Sequence, residues 1–216
     1  MTSITTYTNL IKSIPALKQS TKIKKEVWNR FSYNNKLKIE NAIFGTKAEV
    51  EISREDIFNE SDTEKKIVMT LMWGYPTGGR GSNITNLLKN LDKLNTTLDN
   101  IKNKNLSDQE FNVLIQKFNK ILGLGMSTWS KFLYFFNVKI DSIRCQIFDI
   151  KIVESLNKKQ FSELIGNTWK QNINDYCSYI KLAKDLADKI KSSPEQVELF
   201  MFYFNKHRYP KQLLLW

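Results

Sequence analysis

Eight glycines and four prolines are all the helix-breaking residues in a chain of 216, and four of those glycines fall in one stretch, Gly74 to Asn83, "GYPTGGRGSN". Two more, Gly123 and Gly125, sit one residue apart. The long stretches between are nearly free of both, and their apolar residues recur at intervals of three and four. That spacing puts apolar side chains on one face of a helix, so the chain is predicted to be all-α. Its length suits one domain or a compact pair of lobes with a substantial core. At 41% hydrophobic and 12% aromatic, the composition is globular rather than disordered.

Helix starts are legible in the side chains. Ser61-Asp-Thr-Glu64 reads as a capping box before "KKIVMTLMW", and Ser107-Asp-Gln-Glu110 as another before "FNVLIQKFNKIL". Ser82 or Asn83 can cap a single helix over "ITNLLKNLDKLNTTLDNI". Pro194 follows Ser193 as a first helical residue. A long helix is expected from about Thr168 to Lys191, with Tyr176, Ile180, Ala183 and Ala187 on one face. Residues 46–60 are ambiguous: "AEVEIS" alternates like a strand, and "SREDIFNE" starts like a helix.

Chemistry is bounded by what is scarce. Cys145, Cys177 and the single His207 are too few for a disulfide framework, a His-rich zinc site or a choice of Ser-His-Asp triads. No metal and no cofactor are expected, which leaves Lys, Asp, Glu, Tyr and Ser as reactive groups. The net charge is +11, and residues 11–38 hold eight Lys or Arg against one acid, Glu26. Such a balance suits a polyanion, with a solvated lysine-rich surface as the plainer alternative. No apolar run approaches the roughly 20 residues that span a bilayer. The N-terminus lacks a charged start followed by an apolar stretch, so a cytoplasmic protein without a membrane partner is expected.

The stretch "ILGLGMSTWSKFLYFF", Ile121 to Phe136, joins these threads. A Gly-x-Gly turn between two helices lets the backbone approach a partner closely. The amides of the turn and of the next helix start then form an anion site, and a DNA phosphate is a natural occupant. Gly123, Gly125 and Ser127 are the phosphate-binding candidates, and a tight ligand-free turn is the alternative. Lys131 stands on the second turn among core aromatics, either snorkelling to solvent or serving as a nucleophile. Asp149 ends the apolar run "CQIF", either as a buried acid or as the N-cap of "IKIVESL".

A Gly-x-Gly hairpin, a lysine on the following helix, and an aspartate 18 residues later (149 − 131) resemble the helix-hairpin-helix DNA glycosylases. "SKFLYFF…CQIFDIKIV", "LMWGYPTGGRGSNITNLL" and "SPEQVELFMFYF" are similar to bacterial proteins with the 8-oxoguanine DNA glycosylase fold. The resemblance covers about Ile67 to Phe204, and residues 1–60 carry none of it. It implies a helix-hairpin-helix fold with two helical lobes around a base pocket, carried by residues 61–216. Residues 1–60 are then a basic, partly helical segment whose Lys22, Lys24, Lys25 and Arg30 are candidate phosphate contacts.

The resemblance also implies a mechanism. A nucleotide of double-stranded DNA is flipped out, Lys131 attacks C1′ and expels a modified base, and the Asp149 carboxylate stabilises the charge developing on the sugar. AP lyase strand cleavage follows, and 8-oxoguanine is the default substrate. In many family members the lysine comes almost directly after the Gly-x-Gly turn. Here that slot holds Ser127, and Lys131 lies four residues on, on the same helix face. Without Lys131 in the pocket, Asp149 would assist a water instead. Trp73, Gly74 and Tyr75 are read as the pocket wall, Trp73 with a core position as its alternative. Trp216, Glu198 and Phe202 are further substrate-binding candidates. A monomer is expected. The alternatives are a glycosylase for another modified base, as in defence against phage DNA, and a non-catalytic DNA-binding module.

Overall fold

The computed structural model describes residues 2–164 and 168–206. Its helices are α1 (Thr8–Ser13), α2 (Lys25–Asn29), α3 (Lys36–Phe44), α4 (Arg54–Asn59), α5 (Thr63–Gly74), α6 (Asn83–Lys89), α7 (Leu91–Asp99), α8 (Asp108–Phe118), α9 (Met126–Phe135), α10 (Ile150–Asn157), α11 (Ile173–Ile190) and α12 (Pro194–Lys206). Short strands interrupt them, including β1 (Ser20–Lys24), β2 (Glu49–Ser53), β3 (Asn105–Leu106) and β4 (Lys139–Ile140). The protein is therefore mainly helical rather than all-α. The chain divides into two compact units, one of Met1–Ala16 with Ile143–Trp216 and one of Leu17–Ser142.

In the unit of Leu17–Ser142, α5 is the central element. Every side chain from Lys66 to Trp73 is buried, as in a helix packed on all sides, and α5 contacts α7, α9 and β1. Its N-cap is Asp62, which accepts the Lys65 N–H at 2.9 Å, one residue later than the box expected at Ser61. Glu60 accepts the Asp62 N–H at 2.9 Å. The box at Ser107 and Glu110 forms as expected.

The ambiguous stretch resolves as both of its halves. β2 pairs antiparallel with β1 in the register Ser20↔Ser53 to Lys24↔Glu49. α4 follows at once, with Ser53 and Asp56 in a capping box. Lys22 and Lys24 stand opposite Glu51 and Glu49, opposite-charge pairs of the kind that stabilise a sheet. The helix expected over residues 84–101 is two helices, α6 and α7, broken at Asn90. The Asn90 side-chain amide donates to the Asn86 carbonyl at 2.8 Å, competing with the backbone for that acceptor.

The other unit ties the first sixteen residues to the last helices. The Ser193 hydroxyl accepts the Gln196 N–H, and the Gln196 side chain accepts the Ser193 N–H at 3.0 Å, with Pro194 between. The Gln196 amide also donates to the carbonyls of Lys12 and Ile14. Tyr7 packs its ring among Phe161, Phe200 and Phe204. On α11, Tyr176, Ile180, Ala183 and Ala187 are buried, as their spacing predicts.

Glu163 holds the same N-terminal segment, accepting from the Ser3 hydroxyl and from the Ile4 N–H at 3.1 Å. Burial raises the Glu163 carboxyl, but these hydrogen bonds, with the Glu163 and Ser162 donors, outweigh burial and bring it from 4.5 to about 2. A carboxyl lowered on folding stabilises the fold above its unfolded value, and that contribution fades as pH falls from 4.5 toward about 2. Urea unfolding from pH 5 to pH 2 is expected to show a loss of stability that is shallower in Glu163→Gln. Identical slopes would remove Glu163 from this role.

Candidate active site

The α8–α9 turn uses its two glycines differently. Gly123 has φ +88°, and a Cβ there would lie 2.7 Å from the carbonyl oxygen of Asn83, the first residue of α6. It is glycine for conformation and for close packing. Gly125 has φ −81°, a Cβ there would meet nothing within 4 Å, and the residue serves as the open N-cap of α9. The Gly125 carbonyl accepts from the Thr128 and Trp129 N–H groups at 2.9 and 3.0 Å. First-turn amides of such a helix, here those of Met126 and Ser127, have no acceptor within the helix.

From Thr128 to Phe135 every side chain of α9 is buried, Lys131 among them at 5% exposure. Lys131 therefore does not snorkel. Its Nζ turns back one helical turn and donates to the Ser127 carbonyl at 2.8 Å and hydroxyl at 3.1 Å. The amine is thereby delivered to the level of Ser127, although its Cα lies one turn deeper. Nζ also stands 5.7 Å from the centroid of the Tyr75 ring, within cation–π range.

Gly74, the last residue of α5, makes room for this lysine. A Cβ at Gly74 would lie 3.1 Å from Lys131 Cδ and 3.2 Å from Cε. Gly74→Ala is expected to displace the amine and slow any reaction at it about tenfold or more, since misplacing a reacting group by about 1 Å costs up to 10²-fold. The melting temperature should hold, because alanine is the better helix residue. Equal rates for the two proteins would show that the clearance is unimportant.

Beside this cluster is a cavity of about 340 Å³, lined by Gly74, Tyr75, Pro76, Asn83, Ile84 and Thr128 among others. Its volume lies within the roughly 300–1,000 Å³ of small-molecule sites. The Tyr75 and Thr128 hydroxyls are 2.6 Å apart and fix the ring at the wall. Lys131 is not a lining residue, but its amine sits against Tyr75, which is. A larger recess of about 480 Å³, lined by residues such as Lys47, Glu49, Glu51 and Lys65, contains none of this cluster. The chemistry, rather than the volume, selects the smaller cavity.

Trp73 belongs to the core. It is 8% exposed, meets Phe135 edge-to-face at 5.4 Å, and lies under the buried Arg54 guanidinium at 5.3 Å. Its indole N–H points to the Gln19 carbonyl at 3.4 Å. The flat wall of the cavity is Tyr75 instead. Trp73→Ala is expected to destabilise the fold by about 3–5 kcal/mol, read as a lower denaturation midpoint. A folded variant of unchanged midpoint would return Trp73 to the pocket reading.

A second buried lysine competes for the nucleophile's role. Lys66 is pushed down to about 8, by burial first and then by Lys102, against an opposing pull from Glu60. Its amine donates to the Phe58 and Glu60 carbonyls at the end of α4 and lies 5.5 Å from the Phe136 ring. It closes a helix end and lines neither cavity.

The basic residues expected on phosphate have partners within the protein. Lys24 lies 4.0 Å from Glu26, Lys25 5.9 Å from the Phe44 ring centroid, and Arg30 donates to the Thr77 carbonyl at 3.1 Å. In the other unit, Asp149 is the N-cap of α10, its carboxylate accepting from Lys151 and Ile152 N–H at 3.0 and 3.2 Å. Glu198 is 1% exposed, so it is no solvated charge. Phe202 carries Lys151 Nζ over its ring at 5.6 Å. Trp216 lies outside the described residues. Among the described residues no three His, Cys, Asp or Glu side chains gather as metal ligands, and no helix is long and apolar enough to cross a membrane. Residues that the sequence did not single out are Thr128 and Arg54, and Asn83 was read only as a helix cap. Only Thr128 had a local signal, its place one turn before the aromatic run of α9.

A mainly helical chain thus buries a lysine amine against the tyrosine wall of a cavity of about 340 Å³. The family model described as "Putative 8-oxoguanine DNA glycosylase OGG-like protein" matches residues 15–202, and the chain belongs to that family. The match includes most of the basic N-terminal segment. No curated protein and no solved structure matches the chain.

Proposed function

We propose that the protein is a DNA glycosylase with AP lyase activity, acting on a modified base flipped out of double-stranded DNA, with 8-oxoguanine as the first base to test. The observation that carries this reading is the buried Lys131 amine, brought back to Ser127 and set against Tyr75 at the wall of the cavity. The cavity takes the base, whose face stacks on Tyr75; such a contact is worth about 1–3 kcal/mol. The first-turn amides of α9 beyond Gly125, a helix-hairpin-helix arrangement, take a backbone phosphate.

The chemistry balances with water, which at the end hydrolyses the Schiff base and frees the lysine. The Lys131 ammonium first gives a proton to solvent water, and its nitrogen lone pair then forms a bond to C1′ as the C1′–N bond breaks. The base leaves with that electron pair and is protonated. Opening of the sugar at O4′ converts the adduct to a Schiff base. Loss of a C2′ proton then expels the 3′ phosphate and cuts the strand. Ser127 orients the amine, and the Asp149 carboxylate stabilises positive charge on the sugar, as the family resemblance implies.

The test is incision of a duplex carrying 8-oxoguanine opposite cytosine, and of the same duplex carrying an abasic site. Cleavage of both with a Schiff base trapped by borohydride supports the reading. Excision without trapping would make the enzyme monofunctional, and binding without either reaction would make it a non-catalytic module.

A further inference from the structure

We infer that Arg30 is a positioning residue for the base cavity, clamping from outside the turn that forms its wall. The inference rests on the reading of that cavity as the base pocket. Arg30 lies at the end of α2, in the basic segment of the sequence, where its charge suggested a phosphate contact. The structure gives it another task.

The turn runs from Tyr75 to Gly78 and is closed by the Gly78 N–H donating to the Tyr75 carbonyl at 2.7 Å. It continues through Gly79 and Arg80, and Tyr75, Pro76, Thr77, Gly79 and Arg80 all line the cavity. Arg30 Nη2 donates to the Thr77 carbonyl at 3.1 Å. The guanidinium lies 4.8 Å from the centroid of the Phe31 ring. Phe31 is buried and packs on Trp28 at 5.2 Å, so the clamp is anchored in the core.

Gly78 shows how closely the two parts meet. A Cβ there would lie 2.1 Å from Arg30 Nη2 and 3.1 Å from Phe31 Cζ, and its φ of +80° favours glycine as well. A cation held in this way fixes where Tyr75 and Pro76 stand at the cavity. The guanidinium is solvent-exposed and spends an Nη2 N–H on Thr77, so the salt dependence of duplex binding separates the clamp from a phosphate contact. Arg30 touches neither the amine nor the reacting sugar, so its effect passes through the turn.

Arg30→Ala separates the roles. An abasic duplex has no base to seat, so Schiff-base trapping on it does not need the cavity wall, whereas 8-oxoguanine excision does. The expected result is a roughly three- to tenfold loss of excision, the size of one hydrogen bond. Trapping on the abasic duplex should be unchanged, and hydrogen exchange across residues 74–83 in the protein alone should rise by a similar factor. The salt slope for undamaged duplex should stay the same. A phosphate contact would instead lower that slope by about 0.9 and weaken both reactions together, which would overturn the inference. Unchanged exchange would overturn it as well. A wild type inert on both duplexes, or on 8-oxoguanine alone, would count against the proposed function, and exchange would still decide the clamp.

Discussion

Lys131→Gln abolishes Schiff-base trapping and reduces base excision by several orders of magnitude, while duplex affinity and melting temperature stay near those of the wild type. Glutamine is close in length and keeps an N–H donor for the Ser127 carbonyl, which Lys131 reaches at 2.8 Å. It is one chain atom shorter and close in volume, so it adds no clash with Gly74, and the core of α9 should survive. What it lacks is a nucleophilic amine, and the covalent route has no substitute for that group. Gel-based trapping, with a melting curve on the same sample, checks the expectation. Trapping by the variant at the wild-type rate would assign the amine elsewhere, and Lys66→Gln is the parallel variant for that outcome.

Asp149→Asn is expected to lower excision by two or more orders of magnitude with the fold intact, since a preorganised charge at the transition state is worth about 3 kcal/mol or more. The Asp149 carboxylate caps α10 through the Lys151 and Ile152 N–H groups. Asparagine caps as well as aspartate, so the substitution removes charge without removing the cap. Asp149→Ala removes both, and should add a loss of about 0.5–2 kcal/mol in stability. Single-turnover excision kinetics and urea denaturation separate the effects. Wild-type excision by Asp149→Asn would leave Asp149 as a cap alone.

Much of the helical framework was legible because it depends on local chemistry. Ser107 with Glu110 and Ser193 with Pro194 state their helix starts within four residues, and Tyr176 to Ala187 state their buried face by spacing. The site was partly legible for the same reason: Ser127 and Lys131, four apart, share a face, and the amine does return to Ser127.

What escaped depends on partners distant in sequence. The strand Glu49–Ser53 is fixed by Ser20–Lys24 across two helices, α2 and α3. Trp73 and Tyr75 are two residues apart with similar stacking potential, and only packing against Phe135 and Arg54 sends Trp73 inward. Gly74 owes its identity to the stem of Lys131 rather than to its own backbone. The break at Asn90 was hidden because an asparagine within an otherwise periodic stretch is a weak stop signal.

The most direct measurement is the identity of the lysine that becomes covalently attached. Borohydride-trapped complex on an abasic duplex, digested with nuclease and protease, yields one peptide bearing the reduced sugar remnant. Tandem mass spectrometry should place that remnant on Lys131. A remnant on Lys66, on another lysine or on the terminal amine, or no adduct from an enzyme that still cuts the strand, would contradict Lys131 as the nucleophile.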